Sequence, residues 1–564
     1  MPSLSLLDFS FIAFETAKTP MHVTGLVILD PPKDHAGTYA QELYASFLQQ
    51  PEMVPPFNWK LNWSLTGRPS WSTVNNVNLE DHLRITMLPS PGNEQQLQQV
   101  VGRLHSQVLD RSRPMWEVWV IGGLENSRVA LVLKVHHSMA DGVKASKIFT
   151  QSCATSVEES FTKPLWQCDL RKTPRQRREE SHLTDMVMKT AVAATKQISL
   201  IPSMFRLGSK LALKAVNLAD CDLKVPFTAP KTPFNLSPKR SRAVSLGHFS
   251  ISQLKHISRI TGASMNDILF TISDIALNRY LNDRAIPIRK PLVAMMPINL
   301  RSAGEEGKPG NKMSIGHVEL GKQGLSPLER LESIQHATTD LKNEALNISP
   351  DAYINYSLLV NGVSLFSGKF GLNNFIPPAS NLLISNVPGA KEELYFMGAK
   401  VCEQYPVSLL MPGQTLNITF FSNAGMMYFS LVACNQSLPG FEVITDYMCD
   451  AFAEIEQEVM ETAAQAVAEQ LGYQHDESLA VELAVEAAQE SLTPEDDEFE
   501  QLYQQKQRKV EELEKQLAKL TEMLSATVEI NPETPAKNQD ELNNAPKATT
   551  QKRVVKVRKT KSAS

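Results

Sequence analysis

The chain has little of what usually places a protein at a glance. No run of about 18 uninterrupted apolar residues occurs in it, so the sequence offers no membrane-spanning helix. Positive charge is not in excess: 56 Lys and Arg against 61 Asp and Glu leave a formal net charge of −5. With no overall basic field, no specific nucleic-acid partner is expected. The six cysteines, Cys153, Cys168, Cys221, Cys402, Cys434 and Cys449, are scattered, without the paired spacing of a zinc site or the density of a disulfide scaffold. They read as reduced thiols of a cytoplasmic protein. Met1 to Lys18 has no basic stretch before its apolar residues and makes a poor signal peptide. There is no G-x-S-x-G elbow of a serine hydrolase and no helical H-E-x-x-H of a zinc enzyme, so neither chemistry is expected.

What the chain does have is apolar material for more than one core, 42% hydrophobic residues against 21% charged. Helical and extended patterns alternate, which predicts an α/β (α+β) class. Met21 to Leu29 reads as a β-rich strand. Glu94 to Leu109 places Leu97, Val100, Val101 and Leu104 on one helix face. Val118–Ile121 and Val129–Val135 flank a turn at Gly122–Ser127 and predict a hairpin. Strands are expected at Ala243–Ile251, Pro291–Pro297, Met313–Leu320, Leu382–Val387, Leu416–Phe421 and Met426–Cys434, with helices at Ser264–Leu281, Pro327–Ala345 and Phe441–Met460.

The second strand of the early hairpin runs into Lys134-Val135-His136-His137-Ser138-Met139-Ala140-Asp141-Gly142, after which helical spacing resumes. That order is strand, turn, helix. An imidazole is the side chain best suited to move a proton near neutral pH. A bare histidine pair also fits a purely structural role. Zinc is not expected, since adjacent histidines cannot easily converge on one ion.

Asp185 to Leu218 is basic and amphipathic, with Lys189, Lys196, Arg206, Lys210 and Lys214 among Met, Leu, Ile and Phe. It suits a linker helix packed across two domains, or contact with a membrane surface. Beyond Met460 the composition shifts to Ala, Glu and Gln. Phe499, Tyr503, Lys506, Val510, Leu513, Leu517, Leu520 and Leu524 then follow coiled-coil spacing, which allows self-association, and a Lys-rich tail closes the chain.

The histidine stretch has the HHxxxDG form of CoA-dependent acyltransferases. With Leu7-Asp8, Phe11, Glu15, Thr19-Pro20-Met21-His22-Val23, Asp110-Arg111-Ser112-Arg113-Pro114-Met115-Trp116-Glu117, Asn266-Asp267, Gly310-Asn311 and Ser385-Asn386-Val387-Pro388-Gly389, residues 1–460 resemble the bacterial wax ester synthase/acyl-CoA:diacylglycerol acyltransferase family. The resemblance implies two chloramphenicol-acetyltransferase-like domains with the active site between them. It also implies transfer of a long acyl chain from acyl-CoA, a substrate and not a cofactor, to a fatty alcohol or diacylglycerol. His137 is then the general base, and His136 and Asp141 support the turn. Asp141 would act through a backbone N–H or an arginine, with Arg113 and Arg301 as candidates. Gly142 reads as a tight-turn residue. Asn266, Ser385 and Asn386 are candidate oxyanion donors, although Asn266 and Asp267 equally suit a helix cap.

The expected organisation is an N-terminal domain over 1–180, a linker with the basic helix over 181–240 and a second domain over 241–460. A helical extension over 461–530 and a disordered tail over 531–564 follow. A cytoplasmic enzyme working peripherally at a membrane or lipid-inclusion surface is expected. The rival readings are a related domain using a carrier-bound thioester, and a scaffold dominated by the C-terminal extension.

Overall fold

A computed structural model describes residues 4, 6–35, 37–63, 69–161, 163–168, 226–299, 313–347, 350–372 and 375–470. The basic segment 185–218, Arg301, Gly310-Asn311, the coiled-coil spacing over 499–524 and the tail over 531–564 lie outside the described residues.

β1 (His22–Asp30) organises the first sheet. Its apolar run is met antiparallel on one edge by β6 (Val129–His136), with His22 opposite His136. β12 (Ala399–Val407) meets it antiparallel on the other, with Thr24 opposite Val407. β5 (Trp116–Gly122) forms the predicted hairpin with β6, and the turn uses Gly123 and Asn126 at φ +75° and +58°. β4 (Leu83–Met87) joins β5 in parallel and β11 (Tyr395–Phe396) extends β12, giving the order β11-β12-β1-β6-β5-β4. β2 (Trp59–Asn62) and β3 (Ser70–Thr73) form a separate pair.

Every residue of β6 is buried because both faces of this sheet are covered. On one face lie Ile12 of α1 (Leu6–Phe14), Tyr39, Leu43 and Phe47 of α2 (Tyr39–Leu48), and Ile148 and Phe149 of α4 (Gly142–Gln151). On the other lie Leu97, Val101 and Leu104 of α3 (Glu94–His105), the face its spacing predicted.

The second sheet runs β7 (Ala243–Ser250), β14 (Met426–Ala433), β13 (Leu416–Asn423), β10 (Leu382–Pro388), β8 (Val293–Asn299), β9 (Met313–Glu319). The core beside it holds α5 (Ile251–Thr261), α6 (Met265–Asp283), α7 (Pro327–Asn347) and α9 (Val443–Gln470). From Asp267 to Asn278 every residue of α6 is buried. α8 (Pro350–Lys369), which no helical periodicity announced, lies against β9.

The two sheets are knit together. α3 packs on β7 so closely that a Cβ at Gly102 would lie 2.8 Å from the Arg242 carbonyl. Leu97, Val101 and Leu104 share an apolar cluster with Val244, Leu246, Tyr428 and Val432. β11 and β12, which fall within residues 241–460, complete the first sheet, so the division read from sequence does not coincide with the hydrogen-bonded one. Without β12, β1 would present an open edge of unpaired N–H and C=O groups. The run Ala399–Val407 carries Lys400, Glu403 and Gln404 and did not read as a strand. α9 likewise passes its expected end at Met460 and continues to Gln470.

Candidate active site

The histidine turn is built as predicted. β6 delivers His136, Met139 N–H closes on the His136 carbonyl at 2.8 Å, and Asp141 is the N-cap of α4, its carboxylate accepting from Lys144 N–H at 2.8 Å. Asp141 thus acts through a backbone N–H. Arg113 is not its partner: that guanidinium faces Asp81 at 3.2 Å and Asp110 at 3.4 Å. Gly142 needs correction as a tight-turn residue, because it is the first residue of α4 and is not among the glycines with positive φ. It sits where α4 approaches β10, and a Cβ there would make ordinary contact with Val387 Cγ2 at 3.6 Å. This contact brings the turn of the first sheet against the second.

His137 is anchored by its own N–H, which donates to the Met21 carbonyl at 2.8 Å. Its ring stacks on Phe11 of α1, with centroids 4.1 Å apart and planes 26° apart. Burial pushes its pKa down to about 4, against the opposing pull of the Asp141 carboxylate and with some help from His136. The imidazole is therefore neutral at physiological pH and able to accept a proton.

His136 is fully buried and points elsewhere. Its Nδ1 accepts from Ser138 N–H at 3.2 Å and lies 2.6 Å from Ser138 Oγ. The ring proton then belongs on Nε2, which faces Glu15 Oε1 at 3.5 Å, long for a hydrogen bond but short for an electrostatic contact. Glu15 Oε1 also accepts from Met21 N–H at 3.0 Å, and Oε2 from Arg111 Nε and Nη2 at 3.0 and 2.8 Å. Burial raises the Glu15 pKa, but His136, Met21 N–H and Arg111 together hold it below its ordinary value, so the group is a carboxylate. Three segments distant in sequence thus converge on one buried charge. Sequence reasoning quoted Glu15 and Arg111 only as matching residues and gave neither a role. The available signal was an acid directly after the helix Leu6–Phe14, whose only charged residue is Asp8.

Across the seam, β8 and β10 pair only at Leu382–Ala294 and Leu383–Met295. Pro297 has no N–H with which to continue a ladder. Where the strands part, Met296, Pro297, Ile384, Ser385, Asn386 and Phe420 line a pocket with Asn266, Leu269 and Phe270 of α6. The two asparagines meet there, Asn386 Nδ2 donating to Asn266 Oδ1 at 2.9 Å. The helix cap belongs to Ser264, whose hydroxyl accepts from Asp267 N–H while Asp267 returns a bond to Ser264 N–H at 2.9 Å. Asn266 is thus released from capping, and in the pair it is the acceptor, through Oδ1. Ser385 is differently placed. Thr419 commits its hydroxyl proton to Asn417 Oδ1 at 2.8 Å, so Ser385 Oγ, 3.0 Å away, donates to Thr419 and is engaged within the sheet. An oxyanion role for Ser385 would require breaking that bond.

Residues 4–269 match the family described as "Wax ester synthase/diacylglycerol acyltransferase catalytic domain", and residues 309–456 match "WS/DGAT C-terminal domain". A Mycobacterium tuberculosis protein named "Probable diacyglycerol O-acyltransferase tgs2" is 30% identical over 457 residues, 80% of this chain and 98% of its own. The chain belongs to the wax ester synthase/diacylglycerol acyltransferase family. Another M. tuberculosis relative bearing a diacylglycerol O-acyltransferase name is 32% identical over 459 residues, 81% of this chain and 100% of its own. Among solved structures, the wax ester synthase/diacylglycerol acyltransferase of Marinobacter aquaeolei VT8 is similar at 28% identity with a TM-score of 0.63, over 81% of this chain and 100% of that one. The first family match contains the histidine turn and Asn266, and the second contains Ser385 and Asn386. This family member is therefore an acyltransferase whose two matched segments meet at the seam between the sheets.

Proposed function

We propose that the protein transfers a long acyl chain from acyl-CoA to the hydroxyl of a fatty alcohol or of diacylglycerol, with His137 as general base. The observation that carries this reading is His137 itself: a neutral imidazole, stacked on Phe11, on a turn packed against β10. An alcohol is far too weak an acid to ionise first. Its proton moves to the imidazole as its oxygen attacks the thioester carbonyl, a contribution of about 10²–10⁴ in rate. The carbonyl becomes an oxyanion, for which Asn266 and Asn386 are the candidate donors. Collapse of the tetrahedral species breaks the C–S bond, and the protonated His137 returns its proton to the departing CoA thiolate. The ester and free CoA result, with no acyl-enzyme.

Both substrate classes are greasy, so the enzyme is proposed to work at a lipid surface. No helix among the described residues is long and apolar enough to cross a membrane, which fits peripheral attachment. The test is purified protein with palmitoyl-CoA and either hexadecanol or diacylglycerol, His137→Ala beside wild type. Ester formation that survives in the variant at the wild-type rate overturns the assignment of the base. Transfer from a carrier-protein thioester in place of acyl-CoA overturns the donor.

A further inference from the structure

α8 is built inside out. Ser357, Asn361 and Ser367 are buried beside Tyr353 and Val360, while Leu359, Val363, Phe366 and Phe370 are exposed. The exposed four are spaced by four, three and four residues and form one stripe. Phe375, 82% exposed, follows a few residues beyond the helix, and the rings of Phe366 and Phe370 touch each other at 4.5 Å.

The inner face has a clear reason to be polar. β9 is the edge of its sheet, and Ser357 Oγ satisfies that edge by accepting from Ile315 N–H at 3.3 Å and donating to the Ile315 carbonyl at 2.9 Å. Asn361 Nδ2 then bonds back to the Ser357 carbonyl at 2.8 Å. Close packing fixes the helix further, since a Cβ at Gly368 would lie 2.1 Å from the Pro412 carbonyl. The apolar stripe is thus held outward by a rigid mount. Folding alone gives it no function, because water-exposed phenylalanine gains nothing from this arrangement.

Two features identify what covers it. From Ala352 to Ala379 the only charged residue is Lys369. A protein interface carries a polar rim, whereas an apolar band with a lone cation suits acyl chains beneath a layer of phosphate headgroups. The stripe also leads to the active site: Lys369 Nζ donates to the Ala13 carbonyl at 2.6 Å and lies 5.4 Å from the Phe14 ring, on the same α1 whose Phe11 stacks on His137. We infer that the outer face of α8, with Phe375, inserts into a phospholipid leaflet and holds the catalytic turn at the lipid surface. This rests on the reading that the substrates are lipids, and it names the surface that meets them.

The experiment uses the full chain and vesicles of equal parts phosphatidylcholine and phosphatidylglycerol. Wild type is expected to co-sediment with them. Phe366→Ser, Phe370→Ser and Phe375→Ser are expected to lower partitioning by on the order of tenfold each if the ring is fully inserted. The triple variant should keep its melting temperature and its turnover of a short, water-soluble acyl-CoA with a monomeric short alcohol. In a second measurement, Phe375→Trp should shift its emission to the blue on adding vesicles and be quenched by brominated lipid. Equal sedimentation of wild type and triple variant, or an unshifted tryptophan, overturns the inference. So does a change of oligomeric state in the triple variant with vesicle binding retained, which would mark the face as a protein interface. Absence of acyl transfer in every form, with vesicle binding still lost in the triple variant, would count against the proposed reaction and support the surface.

Discussion

Glu15 Oε1 lies 3.5 Å from Nε2 of His136, and through this buried contact the N-terminal helix fixes the turn that carries His137. Arg111 neutralises the other carboxylate oxygen at 2.8 Å. His137 is therefore held indirectly, through its chain neighbour His136, by a charge on a segment remote in sequence. Glu15→Gln preserves the shape and removes the charge, so it should lower kcat while KM changes little. Glu15→Ala should also destabilise the fold by about 1–3 kcal/mol, because buried donors lose their acceptor. Thermal melting and steady-state kinetics together separate the two effects, and an unchanged kcat in both variants contradicts a positioning role.

The two histidines should respond differently. With His137 as the proposed proton acceptor, His137→Ala should cut kcat by about 10²–10⁴ with the fold intact. His136→Ala opens a buried void beside Glu15 and should show first as a lower melting temperature. Comparable losses of kcat at unchanged stability in both would contradict the division of roles.

Acid should act on rate and stability at distinct places. Burial lowers His137 to about 4 and, with Arg242 and Lys134 nearby, lowers His105 to about 3, from the ordinary 6.5. Below the ordinary value the unfolded chain binds protons that the folded chain refuses. Stability from these groups is therefore complete above about pH 6.5 and is lost as pH falls toward about 4 and 3, by at most about 1.4 kcal/mol per pH unit per group. The kcat profile should stay level down to about pH 5, since His137 is still unprotonated there. An inflection in kcat near the ordinary histidine value would show that His137 titrates as if exposed.

Asn266→Ala should lower kcat by about 10²–10³ if its amide stabilises the oxyanion. Asn386→Ala leaves Asn266 in place but unsteadied, and should cost less. If both variants lose stability and keep kcat, the pair is only a bond between α6 and β10.

Gly142→Ala should keep most activity, because a methyl there makes ordinary contact with Val387 at 3.6 Å. Gly142→Val overfills the same gap between α4 and β10, and should cost about 1–3 kcal/mol together with activity. Equal behaviour of the two variants would mean that the approach to Val387 is not tight in solution.

Much of the site was legible along the chain because its parts are local. Strand, histidine pair, Asp141 cap and helix follow one another within residues 129–151, and each is set by short-range chemistry. Asn266 and Asn386 were marked by resemblance, yet whether Asn266 capped its helix or faced the pocket could not be read. That depended on Ser264 taking the cap.

The sequence by itself determined the α/β class and most strands and helices, since periodicity and turn chemistry are properties of neighbours. Only the tertiary structure decided that β12 leaves its own half to close the first sheet. It also decided that Glu15 and Arg111 meet behind His136, that Ser385 spends its proton on Thr419, and that α8 turns its phenylalanines outward. Each of these rests on a partner remote in the chain, where a buried charge or an open sheet edge must be satisfied by whatever the fold brings to it.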